Sequence, residues 1–181
     1  TGVQTCALPI YRTLIWRPFQ MAFFLLTLDS ICNKNSPDRE ILDLLWFPTG
    51  GGKTEAYLAI IAFGSVYQRL TGNPRKSWGN YAIMRYTLRL LTAQQFERAS
   101  AMILALELIR QEKLEDFECK NLGETPFSIG LWVGEDATPN NYEDALNNRR
   151  ADFGASAEQV IRCFCCKSKL LWKYSDASRE V

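Results

Sequence analysis

The chain has 181 residues, a length that fits one domain of ordinary size, and 47% of them are hydrophobic, enough to bury a core. Lysine and arginine (21) nearly balance aspartate and glutamate (20), so any nucleic-acid binding must use a local patch rather than overall charge. There is no histidine, which excludes Ser-His-Asp and Cys-His catalysis within these residues. No apolar run reaches the roughly 18 to 20 residues that span a bilayer, and nothing resembles a signal peptide, so the expectation is no membrane and a cytoplasmic location.

Residues 1–10, TGVQTCALPI, match the in-frame reading of a common sequencing-adaptor oligonucleotide. They are read as an artefact and left out of the fold, together with Cys6. Residues 18–32 follow Arg17 and carry Pro18 in the first turn, where proline is tolerated, so they predict a helix. A polar loop with Pro37 comes next. The apolar run 41–47, ILDLLWF, fits a buried parallel strand. Residues 54–70 predict a helix that stops at Thr71-Gly72-Asn73-Pro74. Residues 80–84 and 127–133 (FSIGLWV) are further strand candidates. Between them, residues 87 to about 115 predict a long helix with Leu88, Leu91, Phe96, Ala99, Ile103 and Leu106 broadly on one side. Short helices are expected at 141–149 and 157–161. Strands alternating with helices predict an α/β fold with crossover connections.

The densest chemical signal is residues 44–55, LLWFPTGGGKTE: an apolar run, a glycine loop, Lys-Thr, then a helix. Glycines let successive backbone N–H groups turn inward as a nest for phosphate oxygens. Thr49, Gly50, Gly51 and Gly52 would line that nest. Lys53 would reach the β- and γ-phosphates of ATP, and the Thr54 hydroxyl would sit on Mg²⁺. The helix that follows aims its positive end at the anion. The general pattern has a glycine where this chain has Phe47. Glu55 is read as a first-turn helix charge rather than a catalytic base.

The blocks WFPTGGGKTEAYLAIIAF, MRYTLRLLTAQQFERA and IGLWVGEDATPNN, in this order, resemble superfamily 2 helicase-type motors, and more narrowly the helicase-like protein of the DISARM phage-defence system. That resemblance covers most of residues 16–144. It implies a partial RecA-like P-loop NTPase domain over residues 11–150, with a parallel sheet flanked by helices. It implies ATP and Mg²⁺ as ligands, DNA more than RNA as substrate, and defence-system partner proteins. It implies that Gln20, within RPFQ, reads an adenine edge, for which an amide has both donor and acceptor. It implies that Arg85, Thr87 and Arg89, with Gln94 and Gln95, meet a nucleic-acid backbone, as guanidiniums, hydroxyls and amides can. Gly134 and the turn 138–140 fall where a further strand-contact loop would lie.

The acidic motif that completes Mg²⁺ and positions water in such motors has no match in these residues, and the second motor domain is absent. The chain therefore reads as the N-terminal part of a motor, able to bind nucleotide and not to turn it over. Two other readings stay open: a different P-loop NTPase, such as a restriction-type DNA translocase, or a module that binds nucleotide or nucleic acid without hydrolysis. Residues 151–181 read as the start of an insertion. Within it Cys163 and Cys166 have the C-x-x-C spacing of half a zinc site, with two further ligands needed.

Overall fold

The computed structural model describes residues 15–48, 50–72, 79–86, 89–111, 122–134, 137–139, 141–147, 156 and 158–171. Thr49, Thr87 and residues 1–10 lie outside these. The chain divides into two units, one running Tyr11–Ile129 and the other containing Gly130–Val181.

The first unit is built on helices. α1 (Pro18–Cys32) starts at Arg17, whose N–H donates to Gln20 Oε1 at 2.8 Å. That contact satisfies the backbone just ahead of the first turn, as the glutamine of a capping box does. Pro37–Glu40 form one 3-10 turn, capped where Asp38 N–H donates to Ser36 Oγ at 3.2 Å. α2 (Lys53–Thr71) begins directly after the glycine loop, and α3 spans Arg89–Arg110. α1 packs on α2 through edge-to-face pairs Phe23–Tyr57 and Phe24–Phe63, with centroids 6.1 and 5.4 Å apart. Tyr67 Oη donates to Cys32 O at 3.1 Å and ties the end of α1 to α2.

Gly64 sits in mid-helix, normally a cost in backbone entropy. Here it makes room: a Cβ would run into the hydroxyl and ring of Tyr81, so the segment at 80–84 lies against α2 at this point. Burial there, chiefly, pushes the Tyr81 phenol up from its ordinary pKa.

On the far side of α2, Leu106, Leu122 and Phe127 form a buried cluster with Ala62, Val66, Ile103 and Ile109 against it. Arg69 of α2 spans this cluster. Its guanidinium stacks 3.5 Å from the Phe127 ring centroid and donates to the carbonyls of Leu122, Thr125 and Pro126. Glu107 of α3 accepts from Arg110, from Gln111 and from the Phe127 N–H. The Arg110 guanidinium, foremost, holds its carboxyl down to about 2. The apolar side expected for α3 is seen at Ala99, Ile103 and Leu106, with Phe96 partly buried.

The parallel sheet and the RecA-like fold are not seen. Among the described residues there is no named strand, and the one β-type pairing is an isolated antiparallel bridge, Arg162–Lys169. The runs expected as strands, 41–47, 80–84 and 127–133, carry no ladder. In the first, Leu42 is 94% and Trp46 88% exposed. In the third, Phe127 enters the cluster and Trp132 stands 98% exposed. The physical reason is that apolar, β-branched composition marks a strand's willingness to pair, while a ladder needs a neighbouring strand whose N–H and C=O groups meet it. Neither composition nor periodicity tests for that neighbour.

In the second unit α4 (Tyr142–Asn147) is capped by Asn141, whose Oδ1 accepts the Asp144 N–H at 2.8 Å. The short helix expected at 157–161 is absent over 158–161. Glu158 N–H and the Gln159 amide bond instead to Ser156 and to the Ala137 carbonyl, local partners that compete with a helix. Among the described residues no helix is long and apolar enough to cross a membrane.

Candidate functional site: a glycine loop with its carbonyls tied back

The loop between residues 47 and 53 turns on two left-handed glycines, Gly50 (φ 78°) and Gly52 (φ 94°). Gly52 is the residue from which α2 starts. A residue with a Cβ is disfavoured at such angles, which is the local reason for glycine at both. Gly51 is tight for a different reason, since a Cβ there would meet the Phe47 ring. That ring stacks on Phe19 of α1 with centroids 3.8 Å apart, clamping the loop entrance to the start of α1.

Side chains hold the loop carbonyls. Lys53 Nζ donates to Phe47 O at 2.5 Å and to Pro48 O at 3.2 Å. The Gly51 N–H also donates to Pro48 O, at 3.1 Å. The Arg17 guanidinium donates to Gly51 O at 2.8 Å, and Gln20 Nε2 to Gly52 O at 2.7 Å. In a planar trans peptide the N–H points opposite to the C=O. Fixing the carbonyls of Gly51 and Gly52 toward α1 therefore turns the N–H groups of Gly52 and Lys53 away from it. Helix geometry leaves the first-turn N–H groups of α2 without intrahelical acceptors, and the helix dipole adds positive potential at the same end.

A cavity of about 190 Å³ opens here, lined by Ile15, Arg17, Gln20, Gly50, Gly52 and Glu55. Glu55 forms an ion pair with Arg98 of α3, which links the first turn of α2 to α3. Its second oxygen, Oε2, is buried with no hydrogen-bond partner.

Of the residues singled out in the sequence, Gln20, Gly50, Gly51, Gly52, Lys53 and Thr54 are brought together at the α2 N-terminus. Thr49 lies outside the described residues. Gln20, 5% exposed, already donates to Gly52 O and accepts the Arg17 N–H. One amide hydrogen and one oxygen lone pair remain for a base edge. Among the nucleic-acid candidates, Arg85 and Gln94 are exposed, Arg89 is the first residue of α3 with its side chain outside the description, and Thr87 lies outside it. No described contact joins these residues. Arg17 and Arg98 were not expected. Arg17 adjoins the Pro-Phe-Gln that drew attention to Gln20, whereas nothing local in the sequence points from Arg98 to Glu55.

Cys163 and Cys166 lie on a tight hairpin in the second unit. Lys167 N–H donates to Cys163 O, Cys163 N–H to Ser168 O, and Leu170 N–H to Ile161 O, at 3.0, 2.9 and 3.0 Å. Burial, and then the neighbouring Cys163 and Cys166 thiols, push the Cys165 thiol up. Among the described residues no group of three or more His, Cys, Asp and Glu side chains is placed to hold a metal ion.

The loop thus combines left-handed glycines, an adjoining lysine and carbonyls held by side chains at a helix N-terminus. Comparison with known proteins adds a more particular likeness. The chain is 44% identical to "DISARM protein DrmA" of Bacillus paralicheniformis over 170 residues, which take in 87% of this chain. The aligned part spans 15% of that protein's length. No family model matches the chain, and no solved structure matches it.

Proposed function

We propose that the glycine loop binds the phosphates of ATP–Mg²⁺, and that the chain is the nucleotide-binding part of a helicase-type motor acting on DNA in a bacterial phage-defence system. The observation that carries this reading is the loop itself, whose Gly51 and Gly52 carbonyls are drawn off by Arg17 and Gln20 so that N–H groups face the other way. The likeness to DrmA supports the defence-system part and the expectation of companion proteins.

In this reading the N–H groups of Gly50, Gly52, Lys53 and Thr54 cradle the β-phosphate, while the Gly51 N–H stays on Pro48 O. Lys53 gives up Phe47 O and Pro48 O and swings onto the β- and γ-phosphates. The Thr54 hydroxyl joins the Mg²⁺ shell. Thr49 completes the loop, and Gln20 offers its remaining donor and acceptor to adenine. Arg85, Thr87, Arg89 and Gln94 contact the backbone of the nucleic acid and position it without reading sequence. These residues lack the acidic group that would complete Mg²⁺ and orient water, so they bind nucleotide without steady turnover.

Titration calorimetry with ATP–Mg²⁺ tests the reading. The chain binds, and Lys53→Ala loses about 10- to 100-fold in affinity, the worth of one charge-assisted contact to phosphate. Equal binding by both proteins moves the site elsewhere. Steady ATP hydrolysis by this chain contradicts the missing acidic group.

A further inference from the structure

We infer that Arg98 of α3 is a positioning residue for the glycine loop: it holds the Glu55 carboxylate off the Gly52 N–H and so leaves that N–H open to phosphate. The inference deepens the nucleotide reading of the loop and rests on it.

Two helix starts in the first unit make the case. In α1 the N-cap is Arg17, and Gln20, three residues on, accepts the Arg17 N–H at 2.8 Å. That is the backward half of a capping box, in which a glutamine or glutamate at the third helical position bonds the N-cap N–H. In α2 the N-cap is Gly52, and the residue three positions on is Glu55. A glutamate there can make the same bond, and its charge is favoured at the positive end of the helix. The bond is nevertheless not made. Glu55 Oε1 is taken by Arg98, and Oε2 is buried without a hydrogen-bond partner. Distance does not explain this, because Oε2 lies 3.4 Å from where a Cβ on Gly52 would stand. The carboxylate is beside the N-cap residue without capping it. What distinguishes this helix start from that of α1 is the guanidinium reaching in from α3.

The consequence falls on the loop. The Gly52 N–H is one of the donors assigned above to the β-phosphate. Glu55 is the one acidic side chain among those that line the neighbouring cavity. Freed from its cation, it would be an internal anion drawn to the same N–H and the same helix end as the phosphate. Pairing with Arg98 both turns the carboxylate aside and offsets its charge. The hold is reversible. The Arg98 and Glu55 side chains are 43% and 31% exposed, and an ion pair so open to water is worth no more than a capping bond.

The test is titration calorimetry with ATP–Mg²⁺ on the chain, Arg98→Ala, Glu55→Ala and the double variant, with amide NMR of each in the absence of nucleotide. Alanine replaces Glu55 because glutamine would cap as well. Arg98→Ala is expected to bind ATP about fivefold more weakly, the worth of one capping bond that phosphate must displace. Its nucleotide-free Gly52 N–H signal is expected to move downfield as Glu55 takes the proton. In the Glu55→Ala background the same change costs less than about twofold, and the Gly52 shift does not appear. Far-UV circular dichroism checks that all four proteins fold. Equal loss of affinity in both backgrounds overturns the inference, because Arg98 would then act on the fold or on the nucleotide directly. A Gly52 signal that Arg98→Ala leaves in place overturns it too. If the chain does not bind ATP, or Lys53→Ala binds it equally well, the nucleotide reading falls first and takes this role with it.

Discussion

Two neighbouring stretches of this chain, the run 41–46 and the loop 47–53, make opposite use of their sequence. The loop is held by Arg17 just ahead of α1, Gln20 of α1 and Lys53 of α2, each bonded to its carbonyls, and by Phe19 stacked on Phe47. The run before it is more apolar, yet Leu42 and Trp46 stand almost fully exposed and no ladder forms. Hydrophobicity alone does not order a segment. A loop with the right φ angles and a few aimed donors is satisfied by residues close at hand, whereas a strand depends on partners that its own sequence does not contain.

The largest expected effect probes the packing of segment 80–84 on α2. Gly64→Ala drives a methyl into Tyr81 and destabilises by about 1–3 kcal/mol, the usual cost of overpacking. In a Tyr81→Ala background the same change stabilises by roughly 0.5–1 kcal/mol, because alanine is the better helix former once space exists. Denaturant unfolding of the four proteins in the cycle reads the reversal of sign. If Gly64→Ala is neutral in both, segment 80–84 does not lie on α2.

Next comes Gln20→Ala, which leaves Gly52 O and the Arg17 N–H without their partner. It costs about 1–2 kcal/mol by the same unfolding measurement, as loss of a buried, doubly used amide does. A change below about 0.5 kcal/mol would mean that the loop is not tied to α1 by this side chain.

Glu107 gives a pH signature. Its folded pKa, about 2, lies below the ordinary value of 4.5. A carboxylate depressed in this way contributes stability that is fully present above pH 4.5 and lost as pH falls from 4.5 toward 2. Thermal melts of the chain and of Glu107→Gln should therefore differ at pH 6 and converge as the pH drops through that window. Parallel melting temperatures across it would remove Glu107 from the account.

The smallest effect is expected in the exposed run. Leu42→Ser and Trp46→Ser should each shift stability by less than about 0.5 kcal/mol, as surface changes away from packed features do. A loss of several kcal/mol in either would show that the run is buried after all and would break the comparison with the loop.

The glycine loop and helices α1, α2 and α3 were legible in the sequence for one physical reason, that their determinants are local, whereas the helix expected at 157–161 did not form over 158–161. Pro18 in the first turn, the glycines before Lys53 and the apolar stripe of α3 act within a few residues of themselves. The sheet was misread because ILDLLWF and FSIGLWV carry strand composition without a strand's neighbours. The support of the loop was half legible. Arg17 lies beside Gln20 in the RPFQ motif, while the Glu55–Arg98 pair joins residues with no common pattern and emerges only when α2 and α3 pack.

The central claim is that phosphates sit on the loop amides, and amide-detected NMR of the chain during titration with ATP–Mg²⁺ tests it most directly. The account predicts that the N–H signals of Gly50, Gly52, Lys53 and Thr54 move together and saturate, and that adenosine leaves them in place. If ATP binds while those signals stay fixed, or if adenosine shifts them as much as ATP does, the loop is not a phosphate site.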